Sequence, residues 1–154
     1  MASHFQYTTV SYVKDVVKAL SSLSDWTDGE IEKRINEAED DINSKLKSKF
    51  SIPFTAGAAP YVIQDIAKNI AGANCVRDLY ANQTQKTSEL ETKLRDYANS
   101  QLDKILSGEL AVLDNAGGVI ASEDMIASFT EQNSLDPKFG VDDEFGIYRE
   151  GNNR

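Results

Sequence analysis

The stretch Lys45–Tyr80, KLKSKFSIPFTAGAAPYVIQDIAKNIAGANCVRDLY, decides the fold of this chain. It contains the end of an amphipathic helix, a short loop around Pro53 and a second helix that begins at Pro60. Proline lacks a backbone N–H and clashes with the preceding turn, so Pro53 stops the first helix. The first turn of a helix tolerates proline well, so Pro60 marks the start of the next one. The stretch therefore predicts two helices joined by a connection that we call the hinge loop (residues 51–60).

The helix that follows Pro60 is apolar on nearly all of its faces. Such a helix is typically the central and most buried one in a domain. The small residues Ala71, Gly72 and Ala73 permit close approach of a neighbouring helix. Its apolar positions are Val62, Ile63, Ile66, Ala67, Ile70, Ala71, Ala73, Cys75 and Val76.

The helix that precedes the hinge loop has a clear start. Thr27 and Glu30 stand at the spacing of a capping box, in which the threonine hydroxyl accepts from the backbone N–H of the glutamate and the glutamate reaches back. An apolar stripe then recurs at helical spacing up to Phe50, opposite a charged face. The stripe consists of Ile31, Ile35, Ala38, Ile42 and Leu46.

Two further helices are predicted at either side of this pair. One covers Ser11 to Leu20, with Val13, Val16, Val17 and Leu20 on one stripe. The other opens with a second capping box, Ser88 with Glu91, and stops at Gly108. Its stripe is predicted to include Leu90, Leu94, Tyr97, Ala98, Leu102 and Ile105.

The chain thus divides into four regions. Residues 1–10 are predicted to be a loose N-terminal arm, and residues 11–108 a helical core. Residues 109–121 predict a β-hairpin around the Gly-rich turn at 114–118. Residues 122–154 read as an extended acidic tail. The fold class is mainly α: a small antiparallel bundle of about four helices.

Composition narrows the function classes. The 154 residues fit one domain, and the net charge of −9 argues against a general nucleic-acid binder, which needs a basic face. Residues 114–154 alone carry nine acidic and three basic residues, a net charge of −6. A single cysteine, no signal-peptide pattern and no long apolar run predict a soluble cytosolic protein without a membrane segment.

The chain offers little that indicates catalysis. Glu37, Glu39, Asp40 and Asp41 could suggest a magnesium-dependent nucleotide hydrolase, but on a helical wheel only Glu39 borders the apolar stripe. The E-x-x-E spacing of helical nucleotide pyrophosphatases is absent from the chain. His4 has no ligand-spaced neighbour, and Cys75 lies among apolar residues as an inert core thiol. We therefore expect no enzyme activity, cofactor or metal.

Two groups of residues are candidates for binding. The basic residues Arg34, Lys45, Lys47 and Lys49 form either a solvated face with ion pairs to Glu37 and Asp41, or a contact with another copy of the chain. The tail spaces its aromatic residues among acids, a pattern typical of anchors for a partner. These aromatics are Phe129, Phe139, Phe145 and Tyr148.

Three features together resemble one protein family. They are the aromatic lead-in and short helix from Tyr7 to Leu20, the Lys-Phe-x-x-Pro-Phe hinge at Lys49–Phe54, and the helix led by Pro60. That helix has the pattern V-I-x-D-I-A-x-x-I-A and ends in Arg77-Asp78-Leu79-Tyr80; a further helix closes on Leu106-Ser107-Gly108. Over roughly residues 8–108 the chain resembles the head–tail connector (adaptor) proteins of tailed bacteriophages, in particular the Mu-like and lambda-like groups.

The resemblance implies a structural protein without catalytic residues. Connectors of this type form a ring, usually of twelve copies, below the portal protein, where they extend the DNA channel. The ring docks the next head-completion (stopper) or tail protein, and double-stranded DNA passes through without specific binding. The place of action would be the virion head–tail interface, after a stage in the host cytoplasm. The tail aromatics would then bind the portal, and the basic residues would contact the next subunit. Two alternatives stay open: a small helical protein-binding regulator and, more weakly, the magnesium-dependent nucleotide hydrolase.

Overall fold

The computed structural model describes residues 7–23, 26–55, 58–81 and 88–122. In these residues the chain forms four α-helices and one 3₁₀ turn, and no strand longer than an isolated bridge. The mainly α bundle predicted from the sequence is confirmed. The helices are α1 (Val10–Val16), α2 (Asp28–Leu46), α3 (Tyr61–Tyr80) and α4 (Glu89–Ser107), and the 3₁₀ turn covers Lys18–Ser22.

Helix α3 lies at the centre, packed between α2 and α4, with α1 against α2 and α3. The main-chain N–H of Tyr7, just before α1, donates to Glu39 near the end of α2, whereas Lys14 in α1 pairs with Asp28 at the start of α2 at 2.7 Å. Helix α1 therefore runs antiparallel to α2. Helix α2 ends, α3 begins and α4 ends on the same side of the bundle. We call this side the hinge end.

The core follows the predicted stripes of α2 and α3. All five stripe positions of α2 are buried, as are the apolar positions of α3 from Ile63 to Val76. Burial of an aliphatic side chain contributes about 1.5–3 kcal/mol, so these two helices provide most of the apolar stabilisation. The predicted central position of α3 is confirmed.

The N-terminal segment departs from the prediction in two ways. The single helix expected over Ser11–Leu20 is broken at Val17, whose backbone leaves the helical region (φ −115°, ψ 76°). β-Branched residues such as Val16 and Val17 have a lower helix propensity, which favours a break at this point. Val17 and Leu20 are nevertheless buried, as the predicted stripe requires. The loose arm predicted for residues 1–10 is wrong for Tyr7 and Thr8, which are buried. Residues 1–6 lie outside the described residues.

The helix ends confirm one capping prediction and correct another. The Thr27 hydroxyl accepts from the Glu30 N–H at 3.3 Å, while the Glu30 carboxylate accepts from Lys33 at 2.8 Å instead of reaching back. The second capping box does not form, because Ser88 makes no side-chain cap bond. Gly108 ends α4 in the left-handed conformation at φ +80°, as predicted.

The apolar stripe of α4 is narrower than predicted. Leu90 and Tyr97 are exposed, although Ala98, Leu102 and Ile105 are buried. The N-terminal half of the helix buries Glu91 instead, whose carboxylate pairs with Arg95 at 3.6 Å.

The hairpin predicted at residues 109–121 exists as a tight turn with a single antiparallel bridge, Leu113 to Val119. Its main-chain closure is the 2.8 Å bond from the Asp114 N–H to the Gly118 carbonyl, and the Asp114 carboxylate accepts back from the Gly118 N–H at 2.8 Å. Gly117 adopts φ +86°, a conformation that side-chain-bearing residues rarely adopt. We call residues 112–120 the bridge turn.

Gly72 provides the first testable point in the core. A Cβ atom at this position would lie 3.2 Å from Val17 and 3.4 Å from Leu94, where α1 and α4 both meet α3. Gly72→Leu is therefore expected to lower the free energy of unfolding by about 1–3 kcal/mol through overpacking. Urea denaturation measures this. Gly29→Leu is the control, because the nearest atom to a Cβ at Gly29 is the Thr27 hydroxyl at 3.9 Å. An unchanged stability of Gly72→Leu would contradict this packing.

Candidate functional site

The hinge end is organised around the buried side chain of Tyr7, which is 1% exposed. Its main-chain N–H donates to the Glu39 carboxylate at 2.7 Å. Its phenol donates to the Asn43 side-chain carbonyl at 2.7 Å and accepts the Phe54 main-chain N–H at 2.9 Å. Burial raises the pKa of Tyr7, which keeps the phenol protonated as a donor. One residue thus joins the N-terminal segment, α2 and the hinge loop.

Aromatic packing completes this junction. The rings of Tyr7 and Phe54 lie 5.9 Å apart at 59°, and those of Phe50 and Phe54 lie 6.2 Å apart at 50°. Tilted pairs at these separations are attractive beyond their area burial, by about 0.5–1.5 kcal/mol. The Lys-Phe-x-x-Pro-Phe segment is consequently a fixed, packed part of the bundle.

The carboxylates of α2 separate into one structural residue and an outward face. Glu39 is fully buried and binds the Tyr7 N–H, whereas Glu37, Asp40 and Asp41 point away from the core. Glu37 pairs with Arg34, and Asp41 pairs with Lys45 at 3.1 Å. The predicted solvated face is confirmed for these three. Within the described ranges, no group of three or more His, Cys, Asp or Glu side chains is placed to hold a metal ion.

Arg34 lies in an ion-pair network at the opposite end of the bundle. Its guanidinium contacts Glu37 in its own helix and Asp78 at the end of α3 at 2.5 Å. Arg77 joins the same group, 3.4 Å from Asp78. These half-buried pairs hold α2 to α3 away from the hinge end, so Arg34 is engaged within its own chain.

The other three basic candidates lie nearer the hinge end. Lys45 pairs with Asp41 and also donates to Asn99 of α4 at 3.2 Å. Lys47 is exposed and Lys49 half-buried, and neither has an ion-pair partner among the described residues. Arg34 and Lys45 are eleven positions apart on one helix, about 16 Å along its axis. The structure therefore does not bring the four residues into one basic patch.

Among the described residues, two clefts border the bridge turn at the hinge end. The larger, about 580 Å³, lies between the hinge loop and the bridge turn, with Phe54, Pro60 and Asp114 in its lining. The smaller, about 90 Å³, lies between the ends of α2 and α4 and the bridge turn, and Lys49 and Ser122 line it. We call the smaller one the hinge cleft. Ser122, the last described residue, therefore lies at the hinge end.

The remaining predicted site residues lie outside the described residues. They are His4 and the four tail aromatics Phe129, Phe139, Phe145 and Tyr148.

A group of exposed tyrosines was not predicted from the sequence as a site. Tyr61 of α3 is 70% exposed and shares a cleft with Tyr12 of α1, Asp65 and Lys68. Tyr97 of α4 donates its hydroxyl to Asp65 at 2.7 Å, and this bond, with partial burial second, raises the pKa of Tyr97. Three helices thus contribute one tyrosine each to a surface that we call the tyrosine face. Tyrosine is enriched in protein interfaces. Its members are far apart in sequence, so helical periodicity does not reveal the cluster.

Cys75 gives a second testable point. Burial, followed by the nearby Asp78 carboxylate, raises the pKa of Cys75 to about 12. The thiolate is the reactive form, so alkylation at pH 8 is expected to be at least about 100-fold slower in the native protein than in denaturant. Ser100→Cys, at an exposed position of α4, is the reactive control. Since the folded pKa lies above the unfolded one, the neutral thiol stabilises the fold below pH 9 and this contribution is lost between pH 9 and 12. Fast native alkylation of Cys75 would contradict its burial.

No protein-family model matches the chain, and no curated protein matches it at a significant level. No helix in the described part of the chain is long and apolar enough to cross a membrane.

Proposed function

We propose that this protein is a structural head–tail adaptor of a tailed bacteriophage. It assembles as a ring below the portal, extends the DNA channel and offers a surface to the next head-completion or tail protein. The observation that carries the proposal is the Tyr7 junction. It fixes the aromatic lead-in and the hinge, two of the three features that resemble connector proteins, against α2.

The positions of the first and last described residues support this role. The first described residue, Tyr7, and the last, Ser122, both lie at the hinge end. An adaptor needs a rigid body that fills a place in the ring and a segment that reaches a neighbouring protein. The packed bundle supplies the first, and the acidic tail with Phe129, Phe139, Phe145 and Tyr148 is our candidate for the second.

The charge distribution fits an assembly that must wait for its partner. A net charge of −9 makes copies repel one another in solution, and an acidic channel lining would not hold passing DNA. At the portal, many weak contacts act together, because each bound copy raises the effective concentration of the next. Head-to-tail contacts related by a closing rotation then complete a ring.

The ion pairs within the chain favour some candidates for the contact between subunits over others. Arg34 and Lys45 have ion-pair partners within the subunit, whereas Lys47 and Lys49 have none among the described residues. We therefore place the basic side of the subunit contact at the exposed Lys47, facing an acidic surface of the next copy.

A second candidate function rests on the tyrosine face. An exposed group of Tyr12, Tyr61 and Tyr97 around Asp65 favours a helical regulator that binds another protein. Such a regulator would remain a monomer or dimer when a portal is present.

Sedimentation with purified portal rings separates the candidates. The adaptor proposal expects the chain to sediment with the portal in a fixed ratio of many copies, and to sediment slowly without it. A chain that stays slow in both samples would overturn the adaptor proposal in favour of the regulator. Turnover of nucleotides with magnesium in the same preparation would instead identify a hydrolase.

A further inference from the structure

The hinge cleft is an apolar recess without a covering element among the described residues. Its walls include Phe50, Ile105, Val112 and Ile120, and only Lys49 and Ser122 bring polar side chains to the described lining. Val119, also in the lining, is 59% exposed. Open apolar surface of this kind favours an apolar occupant.

The chain itself supplies the nearest occupant. Ser122 lines the cleft, and the residues that follow it are Glu123, Asp124, Met125 and Ile126. Met125 and Ile126 are the first large apolar side chains after the bundle. An extended chain spans at most about 3.3–3.6 Å per residue, so these two side chains reach no farther than about 14 Å from Ser122. They are held within reach of the cleft by the covalent connection.

Charge favours the same occupant. Lys49 lies in the lining and has no ion-pair partner among the described residues. The first two residues of the tail are both acidic, and an occupant entering from Ser122 brings them to this side of the cleft.

We propose that Met125 and Ile126 dock into the hinge cleft of their own chain, with Glu123 and Asp124 facing Lys49. The docked segment covers Val119. It also sets the point from which the later tail residues, including Phe139, Phe145 and Tyr148, depart. This inference does not rest on the proposed function, because the free full-length chain is sufficient to test it.

The sequence makes the test direct. The chain has two methionines, Met1 and Met125, so ¹³C-methyl labelling of methionine in the full-length protein gives two resonances. The Met125 methyl is expected to show nuclear Overhauser effects to methyls of Ile105, Val112 and Ile120. A Met125 methyl with an unfolded-chain shift and no such contacts would overturn the proposal.

A matched pair of variants on the bridge turn gives the control. Val119→Asp places a carboxylate in the cleft and is expected to shift the docking equilibrium away from it by a factor of about 30. Leu113→Asp introduces the same charge at the cross-strand partner, which is 45% exposed and outside the lining, and should leave the contacts unchanged. Equal spectra of the two variants would contradict docking in the cleft.

A second pair of variants tests the contribution of charge to docking. Lys49→Glu is expected to weaken the Met125 contacts, whereas Lys93→Glu, in the N-terminal half of α4, should not. Contacts unaffected by Lys49→Glu would remove the electrostatic part of the proposal.

An equal mixture of methionine-labelled and isoleucine/valine-labelled protein tests whether the occupant comes from the same chain or from another copy. Contacts in the mixed sample would show docking between copies and overturn docking within one chain.

Discussion

Tyr7→Ala is expected to lower the free energy of unfolding by about 3–5 kcal/mol, the range for truncation of a large buried aromatic residue. The residue lies close to the end of the described chain, yet it carries hydrogen bonds to both α2 and the hinge loop. Truncation would leave a cavity beside Phe54 and remove the partner of the buried Phe54 N–H. An unpaired buried donor adds about 1–3 kcal/mol to the cost.

Urea denaturation followed by far-UV circular dichroism measures this change. Tyr12→Ala is the matched control, because Tyr12 is 51% exposed and its loss should change stability by no more than about 0.5 kcal/mol. Tyr7→Phe keeps the ring and removes only the hydroxyl, so an intermediate loss is expected. Equal stabilities of Tyr7→Ala and Tyr12→Ala would show that the N-terminal segment is not part of the core.

Removing residues 122–154 is expected to abolish joining to the portal while leaving a folded helical monomer. The described core lies within residues 7–122, so the helical circular dichroism should persist. A full-length variant with serine at Phe129, Phe139, Phe145 and Tyr148 should lose the same interaction by about 100-fold or more. Interface anchors contribute about 2 kcal/mol or more each, and a ring multiplies the effect across its copies.

The tyrosine face provides the matched control for this prediction. Serine at Tyr12, Tyr61 and Tyr97 removes three exposed aromatics from the bundle, and the adaptor proposal expects portal joining to persist. Portal joining that survives the tail substitutions but not the tyrosine substitutions would move the binding site from the tail to the bundle. Unchanged joining after removal of residues 122–154 would contradict a tail-mediated contact outright.

The helical core could be predicted from the sequence because its determinants are local. Apolar spacing placed α2 and α3, Thr27 and Pro60 marked their starts, and Gly108 marked the end of α4. Each of these signals depends on residues within a few positions of one another, where backbone sterics and helix periodicity act directly.

The junction at the hinge end could not be predicted in this way. Tyr7 contacts Asn43 and Phe54, which are 36 and 47 positions away. Glu39 was placed at the edge of the apolar stripe, but only the folded chain shows that its carboxylate binds a main-chain N–H. The same limit applies to Ser88, where spacing predicted a capping box and the backbone did not form it.

For the candidate basic residues, the sequence predicted the ion pairs within α2 but not the contacts between helices. The ion pairs to Glu37 and Asp41 that one of the two interpretations expected are present, formed by Arg34 and Lys45. Arg34 also pairs with Asp78 of α3, which the sequence did not indicate. Which charges are engaged within a subunit depends on the packing of helices, and helix spacing in the sequence does not specify that. The contact between subunits predicted for Arg34, Lys45, Lys47 and Lys49 stays a prediction.

Electron microscopy of phage heads tests the central claim most directly. The purified protein is mixed with DNA-filled, tailless heads that carry the portal, and the portal vertex is imaged before and after addition. The adaptor proposal predicts a new ring of density below the portal, with one bundle per copy and its hinge end directed at the portal. A portal vertex without added density, in the presence of the folded protein, would contradict the adaptor function.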